Sequence, residues 1–154
     1  MLLNYCSLSL LLGLLMQGES AHRIEDNYLT ATERAQLQRE SDIGRRIKIY
    51  DAASVRLHKA LGAAVAKGDF QGVPASLESW TLLLASSLKD IEDSVGPRKK
   101  PKTLIQYEIH VRKAIFDIQD YQIRATIDQQ DIFDSCLARA EAIRKKFVDV
   151  LFLR

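Results

Sequence analysis

The apolar residues of this chain recur at helical spacing over most of its length. Between residues 43 and 64 they alternate intervals of three and four, which is typical of a coiled-coil-like seam. The pattern predicts a first helix with a Thr30–Glu33 capping box at its start and Lys67-Gly68 at its end. The seam consists of Ile43, Ile47, Tyr50, Ser54, Leu57, Leu61 and Ala64. The predicted helix is overlong, because it includes residues 33–42 ahead of the seam. These residues are mostly polar and are expected to project or pack weakly.

Further apolar stripes follow along the chain. A second helix is expected to begin near Pro74, which suits a first helical turn, and to end at Gly96-Pro97. Residues 102–154 contain no Gly, Pro or Asn, so the pattern allows one helix over 102–150 or two with a division near Asp128. The sequence therefore predicts an all-α, up-and-down four-helix bundle with an overlong first helix, forming a single domain over residues 21–154.

The third helix carries two apolar stripes on nearly opposite faces. The broad stripe consists of Leu104, Tyr107, Val111, Ala114, Ile115, Ile118, Tyr121 and Ala125. The narrow stripe consists of Ile105, Ile109, Phe116 and Ile123. A helix of a four-helix bundle needs only one apolar face. We expect the first helix or the C-terminal end to cover the narrow stripe, and the alternative is contact with a second chain, either a protein partner or another copy.

The N-terminus has the pattern of an export signal. Residues 2–18 are uncharged, and their apolar core, Leu8–Met16, is as long as a signal-peptide core but shorter than a membrane-spanning helix. No Lys or Arg precedes this core, which departs from the usual pattern. Small residues, Gly18 and Ser20, stand where a signal peptidase requires them. We therefore predict a signal peptide over residues 1–20, cleaved near Ser20 to release an exported protein. A membrane anchor over 2–18 is the alternative.

A basic segment separates the second and third helices. Its cations are Arg98, Lys99, Lys100 and Lys102. Cations near an anionic lipid surface contribute about 1 kcal/mol each to binding, so this segment is a candidate anion-binding site. Its two prolines and its lack of aromatic residues favour a stiff, solvated connector instead. A net charge of only +2, together with export, argues against a nucleic-acid partner.

Few residues are suited to catalysis or to cofactor binding. Of the three histidines, His22 follows Glu19 in a Glu-x-x-His sequence that spans the predicted cleavage site, whereas His58 and His110 stand in no such motif. No Gly-rich phosphate loop or Gly-x-Ser-x-Gly motif occurs. Cys136 lies on an apolar seam, which favours a packing role over an interchain disulfide. The aspartates at 128, 131 and 134 suit the start of a helix better than a calcium loop. The sequence predicts no catalytic residue, no metal site and no cofactor.

These observations predict a non-enzymatic, exported helical module that has a binding or structural role through protein–protein contacts. The alternative is a protein that binds an anionic membrane or polymer surface through the basic residues 98–102. A ligand held inside the bundle would leave no mark in the sequence, so that third possibility stays open.

Overall fold

The computed structural model describes residues 28–96 and 100–152, and every regular element in these ranges is helical. The elements are α1 (Ala31–Arg39), α2 (Ile43–Ala66), α3 (Val73–Ser94), α4 (Lys102–Arg124), a 3-10 turn (Ile127–Gln129) and α5 (Gln130–Phe152). The predicted all-α bundle is therefore confirmed. The chain after residue 102 forms two helices rather than one. No helix in the described ranges is long and apolar enough to cross a membrane, and the predicted signal peptide lies outside those ranges.

The four long helices form two antiparallel hairpins, α2–α3 and α4–α5, that lie side by side. Helix α2 packs against α3 and α4, whereas α5 packs against α3 and α4 from the other side. The contact between Asp51 and His110 joins residues 59 apart in sequence, and so does the contact between Leu77 and Cys136. A second contact between α2 and α4, His58 with Asp117, has the same offset as Asp51 with His110, so these two helices run parallel. Because each hairpin is antiparallel, α3 also runs parallel to α5. The consecutive helices α3 and α4 lie on a diagonal of the bundle.

The predicted overlong first helix is divided into α1 and α2 at residues 40–42. The Asp42 carboxylate accepts a hydrogen bond from the Arg45 amide at 2.9 Å and so caps a new helix. Arg46 donates to the Leu37 and Glu40 carbonyls, at 2.7 and 3.1 Å, which satisfies the free end of α1. Because of this break α1 folds back antiparallel along α2 and buries Leu37.

Two predicted helix boundaries are present in the structure. At the start of α1 the Thr30 amide donates to the Glu33 carboxylate at 2.8 Å, and the Glu33 amide donates to the Thr30 hydroxyl at 3.1 Å. This is the reciprocal capping box. At the end of α2, Gly68 adopts a φ of +70°, a conformation that suits glycine after a helix.

Two pairs of polar side chains form hydrogen bonds within the core. Ser54 interrupts the apolar seam of α2 and accepts a hydrogen bond from the Trp80 indole at 2.9 Å. The Tyr107 and Ser87 hydroxyls lie 2.9 Å apart across the diagonal of the bundle. A buried polar group costs free energy unless it is paired. These pairs therefore allow the interior to remain closely packed.

Candidate functional site

The narrow apolar stripe of α4 faces outward. The side chains of Ile105, Ile109, Phe116 and Ile123 are exposed by 50%, 39%, 62% and 83%, and we call this set the outer stripe. The broad stripe occupies the opposite face of α4, where Leu104, Tyr107, Val111 and Ile118 are completely buried. The two stripes lie on nearly opposite faces of one helix, so burial of the broad stripe directs the narrow one away from the core.

Neighbouring helices border the outer stripe on both sides without covering it. Glu108, on the side of α4 that faces α5, binds Arg144 at 2.8 Å. His110, on the side that faces α2, binds Asp51 at 2.8 Å. The expectation that the first helix or the C-terminal end covers the stripe is wrong for the described residues, because α1 lies along α2 and the four side chains remain accessible.

Charged side chains border the outer stripe, and most of them are cations. The exposed cations are Lys102, Arg112, Lys113 and Arg124, whereas Asp120 is the exposed acidic residue among them. Lys113 contacts Asp117 at 3.0 Å and Arg112 approaches Glu108 at 3.8 Å. These contacts lie at the surface, where an ion pair contributes little and its side chains rearrange easily.

Two histidine–aspartate contacts, which helical periodicity alone does not predict, join α2 to α4. His110 Nδ1 lies 2.8 Å from Asp51, and its Nε2 lies 2.9 Å from the Gln106 amide. Two turns further on, His58 Nε2 lies 3.4 Å from Asp117. The sequence does contain a pattern that matches this pairing. An aspartate and a histidine stand one heptad apart on each helix, Asp51 and His58 on α2 and His110 and Asp117 on α4.

Burial lowers the pKa of His58, and the nearby Lys113 lowers it further, while Asp117 opposes both effects. The ring stacks on Tyr121 with centroids 6.0 Å apart. Such a pair orients an imidazole, but catalysis also needs a nucleophile within reach. The two ring nitrogens of His110 contact Asp51 and Gln106, so the geometry supports a role in holding α2 against α4.

Cys136 is buried between α3 and α5. Its sulfur lies 3.3 Å from the Thr81 hydroxyl and 3.9 Å from the Leu77 carbonyl. Burial raises the pKa of this thiol, which keeps it protonated and unreactive. The position agrees with the predicted packing role.

The basic segment is described only in part, because Arg98 and Lys99 lie outside the described ranges. Lys102 is exposed at the start of α4 and lines a cleft of about 340 Å³ between the N-terminal ends of α2 and α4. Arg45, Lys48 and Thr103 line the same cleft, as does the Asp42 carboxylate. The Thr103 hydroxyl is buried there without a hydrogen-bond partner. The cleft thus has more positive than negative side chains at its edge.

The part of the chain that the structure describes contains no cluster of side chains suited to bind a metal ion. There, no three histidine, cysteine or acidic side chains come together as a possible ligand set. The comparisons add no assignment, because no known protein family, curated protein or solved structure matches this chain. The geometry itself is therefore the basis for a functional proposal.

Proposed function

We propose that this protein is a non-enzymatic, exported helical module that acts through protein–protein contacts at the outer stripe of α4. The observation that carries the proposal is the concentration of exposed apolar side chains on one helix face. Within the described ranges the large exposed apolar residues are the four of the outer stripe, Ile127 just beyond α4, and the separate Ile132 and Phe152. Exposed apolar side chains that gather on one face of a helix are typical of interaction sites.

The rest of the bundle suits a scaffold role. The helices that flank α4 are fixed to it by Asp51–His110 on one side and Glu108–Arg144 on the other. A rigid helix presents its side chains at constant spacing, so a partner binds without an ordering cost on this side of the interface. The buried Cys136 and the histidine–aspartate pairs that join α2 to α4 are better suited to structure than to catalysis.

Contact at the stripe is tested by site-specific photocrosslinking in the native host. A photoreactive phenylalanine analogue replaces Phe116, and in a matched control it replaces the exposed Lys89 on α3. We expect a defined adduct to a protein chain from position 116 and none from position 89. Equal labelling at both positions, or no adduct at either, contradicts the proposal.

Export is the second part of the proposal. It rests on residues 1–20, with cleavage near Ser20, and a retained anchor over 2–18 is the alternative. Expression of the full chain in an exporting host, followed by intact-mass measurement, separates the two. A product that begins near Ala21 supports cleavage, whereas the full mass in the membrane fraction supports the anchor.

A second candidate function is binding to an anionic membrane or polymer surface. The cleft beside Lys102, with its cationic edge and the unpartnered Thr103 hydroxyl, favours it. The test measures binding to anionic and to neutral lipid vesicles, with all four of Arg98, Lys99, Lys100 and Lys102 replaced by Gln in the comparison variant. This function requires salt-sensitive binding to the anionic vesicles alone, and that binding must disappear in the variant.

A further inference from the structure

We infer that the partner of the outer stripe is an amphipathic helix of another protein, with an apolar seam bordered by acidic residues. This inference rests on the proposed function and specifies the chemistry of the partner. It depends on three properties of the α4 surface. These are the spacing of its apolar residues, the positive charge at its borders, and the repulsion that this charge would cause between two copies of α4.

The spacing of the outer stripe fits a helical partner. Ile109, Phe116 and Ile123 stand one heptad apart, and Ile105 precedes Ile109 by one turn. Side chains at this spacing form a nearly straight row along a helix, which is the arrangement that a second helix packs against in coiled coils. From residue 105 to residue 123 the row extends about 27 Å at the α-helical rise. A partner helix of about three heptads therefore covers it.

The borders of the stripe favour an acidic partner. Lys102, Lys113 and Arg124 lie on the side towards α2, and Arg112 lies on the side towards α5. Positions that flank an apolar seam set partner choice through the sign of their charges. Asp120 is the one exposed acid within this border, so the sum of exposed border charge is positive. A helix with glutamates or aspartates beside its apolar seam complements it.

A second copy of this chain fits less well. In an antiparallel pair of α4 helices, alignment of Ile105 with Ile123 of the other copy brings Lys113 close to its own counterpart. The same alignment brings Lys102 close to Arg124. A parallel pair instead places Arg112 beside Lys113. Like charges in contact oppose association and so disfavour the wrong partner.

Two designed helical peptides test the chemistry of the partner. Both are about three heptads long with the same leucine seam, and they differ only in having glutamates or lysines at the flanking positions. Their binding to the protein, purified after expression of the full chain in an exporting host, is measured by fluorescence anisotropy. We expect the glutamate peptide to bind at least about tenfold more tightly than the lysine peptide.

Matched variants locate the effect. Replacing Lys102, Arg112, Lys113 and Arg124 by Gln is expected to weaken binding of the glutamate peptide about tenfold. The control variant removes the same number of exposed cations from outside α4, at Arg39, Lys67, Lys89 and Lys146. It is expected to bind as the unmodified protein does. Circular dichroism verifies that both variants are folded.

Failure of this inference and failure of the proposed function give different results. If both peptides bind equally well and Phe116→Glu abolishes that binding, the acidic partner is overturned. The stripe then remains a binding surface. A dimer in analytical ultracentrifugation that Phe116→Glu dissociates also overturns it, in favour of a second copy. Binding of neither peptide overturns the helical acidic partner, and the crosslinking result at position 116 then decides the proposed function independently.

Discussion

The guanidinium of Arg46 meets the carboxylate of Asp90 at two points, with Nε 2.7 Å and Nη2 2.6 Å from the same oxygen, Oδ2. Through this pair α2 is fixed to α3. Nη1 of Arg46 donates hydrogen bonds to carbonyls at the C-terminal end of α1. The Tyr50 hydroxyl donates to Asp90 Oδ2 at 3.0 Å. Burial and the neighbouring Asp90 raise the pKa of Tyr50 to about 12. Three helices are thus joined at one half-buried charge pair.

Asp90→Asn is expected to lower the free energy of unfolding by about 2 kcal/mol, since it leaves the guanidinium of Arg46 without its anion. Urea denaturation measures this loss. The matched variant Asp93→Asn, at an exposed position on the same helix, is expected to change stability by less than about 0.5 kcal/mol. Equal effects of the two substitutions would refute the role given to Arg46 and Asp90.

The outer stripe is expected to be dispensable for folding. Ile109→Glu together with Phe116→Glu places charges on an already exposed surface, so far-UV circular dichroism and the unfolding midpoint should change little. The control, Ile118→Glu, lies on the buried face of the same helix and introduces an unpaired buried charge. That change should remove cooperative unfolding. Loss of structure in the double variant would show that the stripe belongs to the core.

Stability is expected to fall as pH decreases below the ordinary pKa of histidine, 6.5, partly because of His58. Its pKa is lowered in the folded protein, so below pH 6.5 the unfolded chain binds a proton that the folded chain excludes. Protonation therefore favours unfolding, and the stability lost grows until the pH reaches the lowered value. Urea midpoints at about pH 8 and about pH 5 should differ less in His58→Gln than in the unmodified protein. An identical difference in both would contradict this prediction.

Gly62 is expected to be required for the close approach of α4 to α2. A Cβ added there would lie 2.6 Å from the Tyr121 hydroxyl, closer than real atoms pack. Gly→Ala within a helix normally stabilises by about 1 kcal/mol. We expect this gain only when Tyr121 is also replaced by Ala, whereas Gly62→Ala alone should be neutral or destabilising. A double-mutant cycle by urea denaturation measures the coupling, and a coupling of zero would contradict the proposed contact.

Local features of the fold could be predicted because they depend on residues close in sequence. The Thr30–Glu33 capping box and the stop at Gly68 need only a few neighbouring residues. The buried stripe of α4 follows from helical periodicity, and so does the separation of Ile109 and Phe116 from that stripe. The sequence also predicted Cys136 as a packing residue, because it lies on an apolar seam.

Contacts between distant residues could not be predicted in the same way. The break at residues 40–42 depends on Arg46, whose position is fixed by Asp90 on another helix. The pairing of Asp51 with His110 needs α2 and α4 to be parallel neighbours, and helical periodicity contains no information on which helices are adjacent. For the same reason, the exposure of the outer stripe could not be decided in advance, since it depends on where α1 folds.

The amino-acid sequence by itself determined that the chain forms amphipathic helices, where several of them begin and end, and that α4 has two apolar faces. These properties arise from backbone geometry and from side chains a turn or two apart. Only the tertiary structure decided whether the narrower face is covered or exposed. Helix α1 is fixed along α2 by Arg46 and Arg56, and it therefore leaves Ile105, Ile109, Phe116 and Ile123 open to solvent on the other side of the α2–α4 pair.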